Sequence, residues 1–309
     1  MKTALKVGFD FGASRVKASF QKGTEINDIC FPNRVDADVD ANGIKVTIDD
    51  TTLVVGTISG YSNSINKKIN YRNVEHIIMA VAYKIKEELE ILDDIIKLDI
   101  NTVLPPTEFK ESKDKYKELI KAVSGTKATV NGVTFTLVID NVKVGAEGVA
   151  LLNSYNLDRA AKDLNKVLLL DVGSSTTDIV ILVKDGTWKI KDATSSRSAG
   201  SAICKAIQTR LNSGTGLSYT WDDLEREQSY QLDGEKHDII KHINDADNVV
   251  EALISDLSRI DNVRQYKVIL AGAGSRLLKE SDLFKKYTKF ACVDDNLLDF
   301  GNSRGALKA

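Results

Sequence analysis

Two segments of the chain, 7–17 and 168–178, repeat one order of residue types. Each runs from an apolar stretch to an aspartate, an apolar residue, a glycine, a small residue and a serine, and then into a second strand-like run. The converging backbone N–H groups of such Gly/Ser turns bind phosphate oxygens, and side-chain hydroxyls add donors. The repeat predicts two phosphate-binding hairpin turns, one in each half of the chain. A plain Gly/Ser hairpin is the alternative for each turn taken alone.

The aspartates that precede the two turns, Asp10 and Asp171, would repel a phosphate that touched them directly. They fit such a site if a divalent cation, held largely through water, lies between the carboxylates and the phosphates. Lys17, on the second strand of the first hairpin, can neutralise phosphate charge. The turn residues that we expect to contact phosphate are Gly12, Ala13, Ser14, Gly173, Ser174, Ser175 and Thr176.

A third glycine cluster, Ala271-Gly272-Ala273-Gly274-Ser275-Arg276, follows the apolar run Val268–Leu270. Glycine at the end of a strand and before a helix lets a flat ligand approach the backbone closely. The cluster lacks the GxGxxG pattern with a following acidic residue, and no GxxxxGK[ST] loop occurs in the chain. The sequence therefore disfavours both a dinucleotide-binding fold and a P-loop.

The composition restricts the class of protein. A chain of 309 residues corresponds to about two domains. Lys and Arg number 42 against 44 Asp and Glu, so the net charge of −2 argues against direct binding of nucleic acid. The three cysteines, Cys30, Cys204 and Cys292, are far apart and fit neither a disulfide framework nor a zinc site, which favours a reducing cytoplasm. No run of about 18 apolar residues is present, so no membrane contact is expected.

The hydrophobic pattern alternates between strand and helix periods, which predicts an α/β protein. We predict helices at Arg72–Ile91 and at Gly145–Tyr155, several helices between Trp221 and Ile260, and a solvated loop at Thr194–Ser198. The other predicted helices are Ser112–Val123, Gly200–Leu211, one that begins at Arg276, and Leu297–Lys308. The predicted strands are Leu5–Phe11, Arg15–Phe20, Ile44–Ile48, Thr52–Val55, Lys97–Leu104, Lys127–Val130, Val133–Ile139, Val167–Asp171, Thr177–Val183, Thr187–Asp192, Lys267–Ala271 and Phe290–Val293.

The order of these motifs resembles the actin, sugar-kinase and heat-shock-chaperone superfamily, and within it the plasmid-segregating actins of the ParM/StbA type. Phe31-Pro32-Asn33 and Val103-Leu104-Pro105 resemble short segments of that type, with Val103 in place of a glycine. The superfamily has two phosphate motifs, a connecting helix, an adenosine motif and a second connecting helix. The segments similar to the two phosphate motifs are Asp10–Lys17 and Asp171–Asp178, and Gly145–Gly148, which lies between them, is similar to the start of the first connecting helix. Ala271–Arg276 is similar to the adenosine motif, and Phe300–Gly305 to the second connecting helix.

The resemblance implies an actin-like fold, in which two similar α/β domains with ribonuclease H-like cores surround a nucleotide cleft. It places domain I at residues 1–165 plus 297–309, and domain II at residues 166–296. The adenosine motif reads Ala-Gly-Ala-Gly where the family has a Gly-Gly pair. The choice between ATP and GTP therefore stays open.

The resemblance also implies roles for individual residues. Asp10 and Asp171 would hold Mg²⁺ through its waters, and Glu147 would orient the attacking water, so Glu147 and Asp171 are the catalytic candidates. The alternative for Glu147 is a first-turn residue that complements a helix dipole, and the alternative for Gly200 is a helix-start glycine. Further nucleotide contacts are expected at Gly200, Ser201, Gly272, Ala273, Gly274 and Arg276.

The function that this resemblance implies is a cytoplasmic ATPase that forms dynamic filaments. Such filaments would segregate plasmid DNA through a DNA-binding adaptor protein on a plasmid centromere. The alternative is a small-molecule kinase of the same fold that does not polymerise. A kinase needs a general base for its substrate hydroxyl, and apart from the two magnesium candidates and Asp178 no aspartate suggests itself.

Overall fold

The structure is a computed structural model that describes residues 3–62, 67–162, 164–293 and 295–309. The chain divides into a first unit, Met1–Tyr155 with Phe300–Ala309, and a second unit, Asn156–Asp299. Each unit contains a β-sheet and helices around its own apolar core, which confirms the α/β class. The domain boundaries drawn from the sequence stay a prediction.

The sheet of the first unit has ten strands among the described residues, in the order β3-β2-β1-β8-β10-β9-β5-β6-β4-β7. β1 and β10 both run parallel to β8, and the other neighbours pair antiparallel. The strands are β1 (Leu5–Phe11), β2 (Arg15–Lys22), β3 (Glu25–Pro32), β4 (Arg34–Asp36), β5 (Ile44–Ile48), β6 (Thr51–Val55), β7 (Tyr61–Ser62), β8 (Ile95–Leu104), β9 (Lys127–Val130) and β10 (Val133–Ala146).

Helices α1 (Val74–Glu88) and α2 (Pro106–Lys121) pack against this sheet. Apart from Lys84, the residues of α1 from Ile77 to Ile85 are buried in the core of the first unit. α2 begins directly after Pro105, with Pro106 at a first-turn position where a missing N–H costs no hydrogen bond. Short 3₁₀ helices at Lys68–Asn70 and Ala150–Ser154 also belong to the unit.

The second unit has a sheet in the order β13-β12-β11-β16-β17 and a separate hairpin, β14-β15, among the residues described. One apolar cluster lies between the sheet and α6, and a second surrounds α4. The strands are β11 (Lys166–Val172), β12 (Thr177–Asp185), β13 (Thr187–Ser196), β14 (Ser229–Leu232), β15 (Glu235–Asp238), β16 (Lys267–Ala271) and β17 (Phe290–Cys292). The helices are α3 (Leu157–Ala160), α4 (Gly200–Thr215), α5 (Trp221–Glu227), α6 (Asp247–Ile260), α7 (Ser275–Leu278) and α8 (Asp282–Tyr287), with 3₁₀ turns at Ile239–Ala246 and Val263–Gln265. The last helix, α9 (Asp295–Lys308), begins in the second unit, and its residues from Phe300 onward belong to the first.

Three predictions of secondary structure were wrong. No α-helix spans Gly145–Tyr155, because β10 continues to Ala146 with alternating polar and apolar residues and only a 3₁₀ helix follows. The Thr194–Ser198 run is not a loop throughout, since Thr194–Ser196 complete β13 and pair with β12. The Trp221–Ile260 segment holds a β-hairpin as well as helices, because Asp233 and Gly234 both adopt positive φ and form its turn.

Among the described residues, no helix is both long enough and apolar enough to cross a membrane.

Candidate functional site

The first phosphate turn lies between β1 and β2. Asp10 pairs across the hairpin with Lys17, and Gly12, Ala13 and Ser14 form the turn beyond them. The buried Asn33 fixes this turn from one side: its Nδ2 donates to the Gly12 carbonyl at 2.8 Å, and its backbone N–H donates to the Ser14 carbonyl at 2.9 Å. The Phe-Pro-Asn segment that marks the resemblance in sequence therefore has a structural role at the turn.

A lysine that the sequence analysis did not single out lies at the base of this turn. Lys68 Nζ is 3.0 Å from Asp10 Oδ1, and it also forms an ion pair with Glu147 Oε1. A third contact joins Nζ to the Val103 carbonyl oxygen at 3.4 Å. The three charged side chains are 5%, 8% and 11% exposed for Lys68, Asp10 and Glu147 respectively. They form a buried triad that joins the ends of β1 and β10 to the 3₁₀ helix that begins at Lys68.

Lys68 and Asp10 are both charged at neutral pH. Burial raises the pKa of Asp10, but the ammonium groups of Lys68 and Lys17 lower it further than burial raises it, so the net shift is downward. Burial lowers the pKa of Lys68, but the carboxylates of Glu147 and Asp10 outweigh it and hold the pKa well above the usual value. Lys68 therefore keeps its proton and Asp10 stays ionised.

Glu147 follows the last residue of β10 and does not begin a helix. Its backbone N–H donates to the Leu104 carbonyl at 2.8 Å, and Gly148 then turns the chain with a φ of +70°. The alternative of a first-turn helix residue is therefore wrong, because a dipole needs a helix that starts at that point. The Glu147 carboxylate is instead part of the buried triad, in the same unit as Asp10.

The end of α9 packs against this part of the first unit. Asn302 Oδ1 accepts a hydrogen bond from the Gly148 backbone N–H at 2.9 Å. A Cβ at Gly305 would overlap the Ala150 carbonyl, so the glycine permits a close approach of the helix. The motif that resembles the second connecting helix thus supports the chain directly after Glu147.

The second phosphate turn lies between β11 and β12, and backbone groups hold it. Within the turn, the Gly173 N–H donates to the Thr176 carbonyl at 2.9 Å. From the start of α4, the N–H groups of Gly200 and Ser201 donate to the carbonyls of Gly173 and Ser174, both at 2.9 Å. Gly200 is thus the first residue of a helix, as the alternative interpretation of a helix-start glycine predicts. It also contacts the phosphate turn.

The glycines of the third cluster pack against the same turn. Gly272 has a φ of +79°, and a Cβ there would lie 2.5 Å from the Val172 carbonyl oxygen and closer still to the Asp171 carboxylate. The Gly274 N–H donates to the same carbonyl oxygen at 2.9 Å. These two glycines are therefore needed for packing within the second unit, whether or not a ligand is bound.

Arg276 forms an ion pair with a carboxylate near the start of α9, that of Asp299. Its guanidinium donates to both oxygens of Asp299, at 2.9 and 2.8 Å, and both side chains are partly exposed. The pKa of Arg276 is raised mainly by this hydrogen-bonded pair. A contact between Arg276 and a nucleotide stays a prediction, as do contacts of Ala13, Ser175 and Ala273, which lie partly exposed in their turns.

Two aspartates face each other at the base of the second turn. Asp171 on β11 pairs directly with Asp178 on β12, and they are 6% and 1% exposed. Facing carboxylates repel each other, and a cation removes that repulsion. Carboxylate oxygens are also the ligands that a hard divalent cation prefers. The second unit therefore offers two carboxylates to the predicted Mg²⁺, and water would have to supply the other ligands, since the described residues contain no cluster of three or more metal-ligating side chains.

A second residue that the sequence analysis did not assign is Glu225 on α5. The Ser174 hydroxyl donates to Glu225 Oε2 at 2.9 Å, which brings a carboxylate to the second phosphate turn. The Thr220–Asp223 capping box fixes the start of α5 and so the position of this side chain. That capping box, visible in the sequence as Thr-x-x-Asp, could have located the helix but not its contact with the turn.

Comparison with protein families identifies both parts of the chain. Residues 8–149 match the family described as actin-like proteins, N-terminal domain. Residues 169–282 match the family described as archaeal actin homologue MreB-like, C-terminal. A comparison with curated proteins gave no match.

Solved structures of similar fold match over nearly all of the chain. The archaeal actin homologue Ta0583 has a TM-score of 0.76 at 17% identity, with 98% of each chain covered, and its complex with ADP has a TM-score of 0.74 at 18% identity with the same coverage. The ParM of a 15-stranded filament from Clostridium botulinum has a TM-score of 0.73 at 18% identity, with 99% of each chain covered. The AlfA filament from the B. subtilis plasmid pLS32 has a TM-score of 0.62 at 15% identity, with 98% of each chain covered.

These matches confirm the predicted actin-like fold, because two adjoining family domains and three whole-chain structures agree on it. The chain belongs to the actin-like proteins, as its resemblance to the ParM type predicts.

Proposed function

We propose that the chain binds a nucleoside triphosphate with Mg²⁺, hydrolyses it, and assembles into filaments whose lifetime depends on that hydrolysis. The observation that carries the proposal is the repeated hairpin, which brings a buried aspartate to the base of a Gly/Ser turn in each unit. Among similar proteins, the archaeal homologue was solved with ADP, and ParM and AlfA as filaments. They support ATP as the nucleotide, with GTP as the alternative.

In this proposal each unit contributes one turn to phosphate binding. Backbone N–H groups of Gly12–Ser14 and Gly173–Thr176 bind phosphate oxygens, and Lys17 neutralises part of their charge. Asp10 and Asp171 hold the water ligands of Mg²⁺, which when bound neutralises the charge that develops on the phosphate. The residues assigned to the rest of the nucleotide are Gly200, Ser201, Gly272, Ala273, Gly274 and Arg276.

Glu147 is the residue that we assign to the hydrolytic water. Its carboxylate is buried and accompanied by an ammonium group, so it is a fixed acceptor for a water proton. Phosphoryl transfer depends mostly on positioning and on charge stabilisation, and a carboxylate that orients the nucleophile serves the first of these. Loss of one such group slows a reaction by about 10- to 1000-fold.

We further propose that the filaments act in the cytoplasm and segregate plasmid DNA through a DNA-binding adaptor protein on a plasmid centromere. The net charge of −2 argues against direct contact with DNA, because phosphate contacts need clustered Lys and Arg. The adaptor would then supply the contact with DNA.

Assembly and turnover can be tested on one sample. Purified protein is mixed with ATP, GTP, ADP or a non-hydrolysable ATP analogue, each with Mg²⁺ or with EDTA. Pelleting, light scattering and electron microscopy report filaments, and a coupled assay reports phosphate release. We expect filaments with triphosphate and Mg²⁺, and their loss as phosphate is released. Absence of filaments under every condition, with transfer of phosphate to a small hydroxyl compound, would favour the kinase instead.

A further inference from the structure

The Lys68 ammonium is held inside the first unit by two hydrogen bonds and one ion pair. Its partners are Asp10, Glu147 and the Val103 carbonyl. The backbone of Lys68 is also fixed, because its N–H donates to Glu108 Oε2 on α2 at 3.0 Å. The position of the Lys68 ammonium is therefore set by the fold.

The three charges of the triad do not cancel. Two carboxylates and one ammonium leave a net charge of −1 in a buried place. A buried ion pair is in general no more stable than apolar residues of similar volume, so stabilisation of the fold alone does not account for this arrangement. Two carboxylates that share one buried ammonium suit a place that receives a cation and a water molecule.

We propose that Lys68 is a positioning residue that fixes the Glu147 carboxylate for the hydrolytic step and holds it next to Asp10 in the triad. This inference rests on the proposed function, since it assigns Lys68 to the same reaction. Lys68 acts through Glu147 and not on the nucleotide itself. Its removal leaves two buried carboxylates without the shared cation, so Glu147 loses both its neutralising partner and its fixed orientation.

The experiment is a double-mutant cycle with Lys68→Met, Glu147→Gln and the double variant. Lys67→Met is the matched control at the surface, where the neighbouring lysine pairs with Glu111 and both side chains are more than half exposed. Lys86→Met is the control for loss of a buried ammonium away from the site, since Lys86 binds the carbonyls of Ile91 and Asp93. If Lys68→Met does not fold, Lys68→Gln replaces it.

The first measurement is thermal unfolding in EDTA without nucleotide. We expect Lys68→Met to lower Tm by roughly 5–10 °C, because it leaves uncompensated buried charge. The double variant should recover at least half of that loss, since Glu147→Gln removes one of the two charges. If the decrease in Tm of the double variant equals the sum of the two single decreases, Lys68 and Glu147 are not coupled and the proposal is wrong.

The second measurement is single-turnover phosphate release at saturating ATP and Mg²⁺, with nucleotide affinity from calorimetry. We expect Lys68→Met to slow release by about 10- to 100-fold, with affinity changed by less than about threefold. The double variant should be no slower than Glu147→Gln, and both lysine controls should match the wild type. Wild-type release by Lys68→Met, or a double variant slowed by the product of the two single effects, would refute the proposal.

The failure of the proposed function has a different signature. If the wild-type chain releases no phosphate from any nucleotide, that function fails. The unfolding cycle then still decides whether Lys68 and Glu147 are coupled, because it needs no nucleotide.

Discussion

The two units contain the same strand–turn–strand hairpin but hold it in different ways. In the first unit Asp10 faces Lys17 and also binds Lys68, so charged side chains surround it. In the second unit Asp171 faces another aspartate, Asp178, and glycine-rich backbone closes around the turn. One repeated sequence pattern therefore occurs in two environments of different chemistry.

This difference indicates what each of the two turns is sensitive to. The first unit depends on charge, because its buried acids have a neutralising cation within the fold. The second depends on shape, because the backbones of three segments meet at the turn after β11 without room for side chains. Substitutions that change charge should act most strongly in the first unit, and those that add volume should act most strongly in the second.

The largest effect is expected from Gly272→Ala in the second unit. The new Cβ would clash with the Val172 carbonyl and would be strained at a φ of +79°, so we expect a loss of about 3–5 kcal/mol. Gly234→Ala is the matched control, because Gly234 has a φ of +82° but no atom within 4 Å of its Cβ position. It should cost about 1 kcal/mol. Equal losses in urea unfolding would show that conformation, and not packing, limits the second turn.

In the first unit, Glu147→Ala should slow hydrolysis by about 10- to 1000-fold and leave nucleotide affinity nearly unchanged. The reason is that an oriented water contributes only in the transition state. Filaments should still form with ATP and should persist, since their disassembly would wait for hydrolysis. Phosphate release and light scattering on one sample measure both effects. Wild-type release together with wild-type disassembly would remove Glu147 from the site.

In the second unit, Asp171→Ala should weaken Mg²⁺-dependent ATP binding by about 10- to 100-fold, and Asp178→Ala should weaken it less. Asp171 is the last residue but one of β11, just before the phosphate turn, whereas Asp178 follows the turn and is the more deeply buried of the two. Asp185→Ala is a control at the exposed end of β12. Calorimetry with and without EDTA measures the difference. Equal effects of the first two variants would assign the ion to both carboxylates.

The smallest effect is the acid dependence of the first unit. Because the pKa of Asp10 is lowered in the folded protein, its ionised form stabilises the fold above the unfolded value of 3.8. That contribution is lost as the pH falls below 3.8 and through the folded pKa. The difference in Tm between the wild type and Asp10→Asn should therefore be full at neutral pH and shrink in acid. A difference that is independent of pH would mean that Asp10 is held by packing and not by charge.

The α/β class and most of the elements could be predicted from the order of residue types along the chain. The bounds predicted for β1, β5 and β16 match the structure, because a continuous or alternating apolar run between polar ends is a local signal. The repeated motif also located Asp10 and Asp171 at the ends of their strands, since each acid sits at a fixed distance from its glycine. The Asp-Gly turn of the β14-β15 hairpin was an available signal that the helical interpretation overlooked.

Which charged side chains meet depends instead on how distant parts of the chain pack together. Lys68 lies among polar residues with no periodic pattern, and its partner Asp10 is 58 positions away in the chain. Glu147 comes to the triad because β10 continues past the predicted start of a helix, in register with β8. Pairing between distant strands and the burial of a charge both depend on contacts far apart in sequence. Secondary-structure propensity depends on residues that are close in sequence. The triad therefore could not be predicted from the residues alone.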